Sequence, residues 1–191
     1  MTKPDSHTNQ ANQTGRANDR AVATALDGVV VRGEQNLLTD TATPGLAGAR
    51  AALETFYYAF NTRTLDLYQR IWADDPLVQL GSPVAGVVRG KSTIDAVAAR
   101  GFSGPVQIRS VFEDIVAYAT PELVVFTGRE HGEYAHESEG ETVSERPDVR
   151  TRCICIFRFI AEQGGWRQVY HHVSVDDAEE LARFQRAARG G

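Results

Sequence analysis

Apolar residues recur every three or four positions in the first strongly patterned stretch of the chain, which follows Pro44. This spacing is typical of one face of a helix, and a proline suits the first helical turn. The pattern therefore predicts a helix that ends at Asn61. The apolar residues at helical spacing are Leu46, Ala49, Leu53, Phe56, Tyr57 and Phe60.

A second helix is predicted from Thr64, a plausible N-cap, through Trp72. It should stop at Asp74-Asp75-Pro76, because the residue before a proline disfavours the helical conformation. The two acidic residues suit turn chemistry better than paired catalysis. Segments 77–80 and 84–88 then predict two short strands around a Gly-Ser-Pro turn.

A third helix is predicted to open at Gly90-Lys91-Ser92 and to reach about Arg100, with Ser92 as its N-cap and Asp95 three residues later. A last helix is predicted to begin near Asp176. Its first turn is acidic and its last turns carry arginine, which complements the helix dipole.

Between these helices the apolar period changes from helical spacing to two. Long strands are predicted at 106–118 and 123–134, with a turn at 119–122. The acidic segment 137–148 predicts a long hairpin loop. Residues 151–160 and 166–174 are apolar runs separated by Gly164-Gly165, which predicts a closing hairpin. Helices followed by a strand-rich half indicate the α+β class.

The beginning of the chain has a different composition. Residues 1–42 contain no aromatic residue and too little apolar surface to offset the entropy of ordering, which predicts a flexible extension. An arm that packs on a partner subunit is the alternative. The short apolar run 21–31 could form a strand or a helical turn. Residues 43–191 are predicted to form one domain.

Composition excludes several classes of function. The net charge of −5 is not that of a nucleic-acid-binding surface, no apolar run approaches a membrane span, and no secretory signal follows Lys3. Cys153 and Cys155 lie two residues apart on one predicted strand, where they are poorly placed to bridge each other. Reduced thiols predict a cytoplasmic protein. Nothing in the sequence indicates a cofactor.

Five segments, in order, match a known pattern: Phe-Tyr-Tyr-Ala-Phe-Asn at 56–61, Leu65-Asp66, Ile-Trp-Ala-Asp-Asp at 71–75, Gly-Lys-Ser-Thr-Ile at 90–94 and the closing run 165–174. In this order they resemble the nuclear transport factor 2-like superfamily, and especially its SnoaL-like and ketosteroid-isomerase-like members. The resemblance implies a cone-shaped α+β barrel. Three N-terminal helices would pack on a strongly curved, mostly antiparallel sheet that encloses a pocket. It also implies a homodimer through the outer face of the sheet.

The catalytic residues of the ketosteroid isomerases are not found at the matching positions of this chain. The position of the general-base aspartate matches Leu80, and the oxyanion-hole tyrosine matches Phe56, next to Tyr57. The second oxyanion-hole acid matches Cys155. Because all three polar roles are lost, the isomerase reaction by that machinery is not expected.

Alternation along the final strand gives the main site hypothesis. Side chains of Trp166, Gln168, Tyr170, His172 and Ser174 would share one face, with Arg167, Val169, His171 and Val173 on the other. The resemblance implies that the first face points into the pocket. His172 is then the predicted acid–base group, with Tyr170 and Ser174 as polar partners. The alternative is a hydrogen-bonded structural histidine.

The remaining site predictions concern the wall of the pocket. Phe56, Trp72, Leu80, Cys155 and Phe157 are the predicted ligand-binding residues, with Cys153 also facing inward. Cys155 has no predicted cationic neighbour that would lower its pKa, so it is interpreted as a small buried hydrophobic residue.

No metal site is predicted. Alternation places Glu130 and His136 on one face of their strand, with His131 and Glu133 on the other, which argues against a simple metal site formed by these four residues.

Two functions remain open from the sequence. One is an acid–base enzyme, a cyclase, isomerase or dehydratase, that acts on a mostly apolar carbonyl compound. The other is a non-catalytic ligand-binding or dimerisation module. The outer face of the sheet, with His171, Val173, Ile154 and Ile156, is the predicted dimer interface.

Overall fold

The helices and strands follow one another largely as the sequence pattern predicts. The computed structural model describes residues 21–83, 85–136, 149–175 and 177–188. The helices are α1 (Leu46–Asn61), α2 (Leu65–Ile71), α3 (Lys91–Ser103) and α4 (Ala178–Ala188). The strands are β1 (Val22–Ala25), β2 (Gln79–Ser82), β3 (Gly86–Arg89), β4 (Val106–Ala119), β5 (Leu123–His136), β6 (Val149–Ile160) and β7 (Gly165–Val175).

The strands form one sheet in the order β1-β4-β5-β6-β7-β2-β3. Every neighbouring pair is antiparallel except β2 and β7, which run parallel. The predicted α+β fold with a mostly antiparallel sheet is thus confirmed. The sheet does not close on itself: within the described residues, β1 and β3 are its two edges.

Helix α1 is the centre of the core. It buries Leu53, Phe56 and Tyr57 almost completely against the inner face of the sheet. At its C-terminal end, the Asn61 side-chain amide donates to the carbonyl oxygens of Arg32 and Ser110, both at 2.9 Å, and accepts from the Ser110 amide at 2.8 Å. This buried polar side chain is fully used and ties the end of the helix to β4.

Two of the predicted N-caps do not cap their helices with a side-chain hydrogen bond. Helix α3 begins one residue before Ser92, and Gly90 occupies the cap position at φ +86° with no side-chain cap bond. Asp95 instead pairs with Lys91 one helical turn away. Thr64 precedes α2 as predicted, but its hydroxyl bonds to the Thr62 hydroxyl at 2.8 Å rather than to the helix.

Part of the predicted N-terminal extension lies against the domain. Strand β1 pairs with β4 and forms one edge of the sheet, and Val31 forms a bridge with Phe112. Gly33 has φ +63°, and a Cβ there would come within 2.4 Å of the Tyr57 carbonyl carbon. Only glycine allows this close approach. Residues 1–20, the predicted loop 137–148 and Asp176 lie outside the described residues.

A β-bulge interrupts β7 and determines which of its side chains face the core. Phe157 pairs with Gln168 and Ile156 pairs with Tyr170, so Val169 is an extra residue opposite β6. An extra residue reverses which positions face the core beyond it. Trp166 and Gln168 are fully buried before the bulge, whereas His171 is the buried residue after it.

Candidate functional site

A cavity of about 370 Å³ lies between the inner face of the sheet and the helices. Most of its wall is apolar, as is usual for small-molecule sites. The apolar residues at the wall include Phe56, Phe60, Tyr68, Leu80, Val97, Ala98, Phe102, Val106, Ile108 and Val173.

Polar groups meet the cavity from four adjacent strands. Ser110 comes from β4, Glu130 from β5, Thr151 from β6 and His171 from β7. Glu130 is paired with Thr151 in the sheet register, so both occupy inward positions side by side. All four residues are buried, with Glu130 7% exposed. A mostly apolar cavity with a small polar cluster can hold and orient a ligand that has one polar end.

Glu130 is the carboxyl group of this cluster. Burial raises the pKa of Glu130 above its ordinary value of 4.5, since the charged form loses its hydration. The positive charge of His171 and hydrogen bonds from Tyr57 and Ser110 lower the pKa, but they do not cancel the effect of burial. Burial therefore favours the neutral form more than water does, and a neutral carboxylic acid can donate a hydrogen bond.

His171 is one end of a buried series of contacts that passes through the Cys155 and Cys153 sulfurs to the Tyr57 hydroxyl. Its Nδ1 lies 3.4 Å from the Cys155 Sγ, which lies 3.6 Å from the Cys153 Sγ. The Tyr57 hydroxyl lies 3.7 Å from that second sulfur. The His171 ring also packs on the Phe56 ring at a centroid distance of 4.9 Å. This packing holds the imidazole between the cavity and the thiols.

The two thiols differ in acidity. Burial raises the pKa of Cys155, but hydrogen bonding from Cys153 and the positive charge and hydrogen bond of His171 outweigh burial and lower it to about 6. Burial raises the pKa of Cys153 well above its ordinary value. Burial lowers the pKa of His171, but the negative charge and hydrogen bond of Cys155 reverse this and raise it. No neighbour able to carry a positive charge was expected beside Cys155, but His171 lies there and is cationic when protonated.

The predicted catalytic column does not line this cavity. Since His171 faces inward, alternation places Tyr170, His172 and Ser174 on the outer face of the sheet. The Tyr170 and His172 rings stack there at 6.2 Å with 10° between their planes. A Cβ added to Gly81 would lie 2.3 Å from the His172 Nδ1. The predicted orientation was wrong because the bulge at Val169 reverses the alternation.

The predicted wall residues divide into two groups. Phe56 and Leu80 line the cavity. Trp72, Cys155 and Phe157 are buried as predicted but lie behind the cavity wall. Cys153 likewise faces inward, and Ile154 and Ile156 face outward.

Two site residues were missed by sequence reasoning. Glu130 was placed on one strand face with His136, and the same alternation puts it with Val124 and Phe126, which are both buried. That signal could have identified Glu130 as an inward carboxyl. For His171, simple alternation pointed outward, and nothing in the residue pattern marked the bulge.

The arrangement matches a known family. A family model for the SnoaL-like domain matches residues 49–178, more than half of the chain, so the protein belongs to this family. None of the curated proteins matches the chain.

Several solved structures share this fold, and the alignment with this chain covers most of the length of each. A protein of the NTF2-like family from Streptomyces avermitilis, proposed to be a dehydratase, is 18% identical with a TM-score of 0.59, over 68% of this chain and 95% of that one. An NTF2-like superfamily protein from Salmonella enterica is 16% identical with a TM-score of 0.56, over 66% and 87%. A ketosteroid isomerase-like protein from Erwinia carotovora is 16% identical with a TM-score of 0.53, over 67% and 93%. Identities this low support the shared fold alone.

None of the helices in the described part of the chain has the length and apolar character that a membrane span requires.

Proposed function

We propose that the cavity binds a mostly apolar small molecule with a carbonyl group and that Glu130 acts on this carbonyl as an acid. The observation that carries the proposal is a buried carboxyl with a raised pKa at the polar end of an apolar cavity of about 370 Å³. Perturbed carboxyl groups in clefts are candidates for acid–base catalysis. The reaction would be a cyclisation, an isomerisation or a dehydration.

The proposed chemistry uses the protonated form of Glu130, which burial favours. The protonated carboxyl would act as a general acid, which passes its proton to the carbonyl oxygen as negative charge develops there and regains a proton when the product forms. Before the transfer it donates a hydrogen bond to that oxygen. In an apolar cavity this interaction is stronger than in water. Phe56 and Leu80 would contact the apolar part of the substrate. Ser110 and Thr151, which line the same cavity, would help to orient the polar end.

A non-catalytic ligand-binding module is the second candidate. It is favoured by the apolar residues Phe56 and Leu80, which occupy the wall where the related isomerases carry polar catalytic groups. A site of this kind would hold the same apolar ligand without converting it.

The two candidates are separated by Glu130→Gln, which keeps the shape of the side chain but cannot release a proton. A panel of cyclic and acyclic apolar ketones is screened first for binding and then for turnover by mass spectrometry. The enzyme proposal predicts that Glu130→Gln retains binding within a few-fold and loses turnover by about 100-fold or more. The matched control Ser174→Ala, on the outer face, should change neither. Equal turnover by Glu130→Gln would contradict the role of Glu130, and binding without any turnover would favour the binding module.

We also propose a homodimer through the outer face of the sheet. In the sheet register, one row crosses four strands on this face: Tyr118, Val125, Ile156 and Tyr170. Tyr118 is 43% exposed, and nearby Ile154 is 37% exposed. A contiguous apolar row on an open face is typical of an interaction surface. Ile154→Lys should give a monomer in sedimentation, whereas a monomeric wild-type chain at micromolar concentration would contradict the proposal.

The cytoplasm is the proposed location. Cys153 and Cys155 are free and buried, and a reducing compartment preserves such thiols.

A further inference from the structure

The most unusual group in the core consists of Cys153, Cys155 and His171. The ligand atoms of these residues all lie within 4.8 Å of one another, and each residue is buried. Two thiols and an imidazole at this separation are the donor set of many zinc sites.

Two of the three donor separations are close to those of a tetrahedral centre, and the third is within 4.8 Å. Zinc binds sulfur at about 2.3 Å and imidazole nitrogen at about 2.0–2.1 Å, so donor atoms at tetrahedral angles are separated by about 3.8 Å for two sulfurs and about 3.6 Å for sulfur and nitrogen. The two sulfurs are 3.6 Å apart, and the Cys155 Sγ is 3.4 Å from the His171 Nδ1. A disulfide would instead need the sulfurs at about 2.05 Å.

The chain places these donors by two local devices. Cys153 and Cys155 are two residues apart on β6, so both side chains point inward. Cys155 pairs with His171 in the register of β6 and β7, and the bulge at Val169 turns that histidine toward the same face. Bulges that re-aim one side chain are common next to functional sites.

We propose that Cys153, Cys155 and His171 bind one Zn²⁺ ion at the edge of the cavity, with water or the Tyr57 hydroxyl as the fourth ligand. Thiolate and imidazole ligands favour zinc over the hard cations Mg²⁺ and Ca²⁺, which prefer oxygen. Because His171 also lines the cavity, the ion would lie next to the proposed ligand. This inference goes beyond the proposed function and does not depend on it.

Co²⁺ serves as the probe, since it takes the place of zinc and gives a thiolate-to-cobalt charge-transfer band only when thiolates bind it. The full chain is stripped with a chelator and titrated with Co²⁺. The expected result is a thiolate-to-cobalt band that saturates at one equivalent and is abolished by added Zn²⁺. Cys155→Ser and His171→Ala should weaken binding by about 100-fold or more. His172→Ala, the matched control at the adjacent histidine, should bind as the wild type does.

The absence of a band in the wild-type chain would overturn the proposal, as would a band of equal affinity in Cys155→Ser or an equal loss in His172→Ala. Should a ligand variant fail to fold, the wild-type chain still decides the matter. Equimolar Zn²⁺ should raise its Tm, because a ligand that binds only the folded state stabilises it. An unchanged Tm would mean that the three residues form only a hydrogen-bonded network.

Discussion

The two halves of β7 differ in which alternate residues face the core: even-numbered residues do so before Val169 and odd-numbered residues after it. Before Val169, Trp166 and Gln168 face the core, and after it His171 and Val173 face the core, while Tyr170 and His172 face outward. The difference is one extra residue in the strand. It shows that the bulge, and not the residue types, determines which of two adjacent histidines meets the cavity.

The two histidines consequently have different surroundings. His171 contacts the Phe56 ring and the Cys155 thiol in the core. His172 packs over Gly81 and beside Tyr170 on the outer face. Each histidine is therefore the natural control for the other.

Deletion of Val169 removes the bulge and should have the largest effect on the two halves of β7. Without the extra residue, one half of β7 must place its buried side chains on the wrong face. We expect a loss of at least about 4 kcal/mol in the free energy of unfolding, which is the range of severe core disruption. Urea unfolding measures this, with Val169→Ala, which keeps the bulge, as the control. A deletion variant as stable as that control would show that the bulge is dispensable.

Trp166→Ala and Tyr170→Ala compare the inner and outer faces directly. Trp166 is fully buried, packs on the Phe159 ring and donates from its indole nitrogen to the Thr43 carbonyl oxygen at 3.0 Å. Its loss should cost about 3–5 kcal/mol, as is typical for a buried aromatic residue. Loss of Tyr170, which is only partly buried, should cost about 1 kcal/mol in the same denaturant experiment. Similar costs for both would contradict the assignment of the two faces.

Gly81→Ala tests the outer position of His172. The added Cβ would lie 2.3 Å from the His172 Nδ1, so the ring must move. We expect a loss of about 1–3 kcal/mol, the range for overpacking, and recovery of most of it in the double variant with His172→Ala. His171→Ala in place of His172→Ala should give no recovery. Additive effects of Gly81→Ala and His172→Ala would place the ring elsewhere.

Glu130→Gln has the smallest expected effect on the free energy of unfolding, and this effect depends on pH. The unfolded carboxyl keeps a pKa near 4.5, while burial raises the pKa in the folded state. The neutral acid's contribution to stability is therefore fully present below pH 4.5 and is lost as the pH rises through the folded pKa. The stability of the variant relative to the wild type should thus increase with pH over this window. Unfolding free energies measured at several pH values test this, and a constant difference would contradict the raised pKa.

The fold could be predicted because long periodic segments specify it. The apolar spacing of 46–61, the alternation of 106–118 and the Gly-Gly turn before β7 each predicted an element that the structure contains. Cys153, Cys155 and Phe157 were predicted to face inward and do so. In these elements the local pattern and the burial agree.

The site could be predicted only in part because it depends on one irregularity. Trp166 to Ser174 shows an alternation of residue types that looks unbroken, and either histidine is chemically suited to a cavity. The extra residue is visible only in the pairing with β6, a non-local property. Glu130 was placed on one strand face with His136, but the inward direction of that face was not recognised, although Val124 and Phe126 share it and are buried.

The most direct test of the account is an NMR measurement of which histidine ring lies beside Phe56. Selective labelling of histidine and phenylalanine allows nuclear Overhauser effects between their ring protons to be assigned, with His171→Ala and His172→Ala identifying each signal. The structure predicts strong effects between His171 and Phe56, whose ring centroids are 4.9 Å apart, and contacts from His172 to the Gly81 α-protons. Effects between His172 and Phe56, with none from His171, would contradict the central claim.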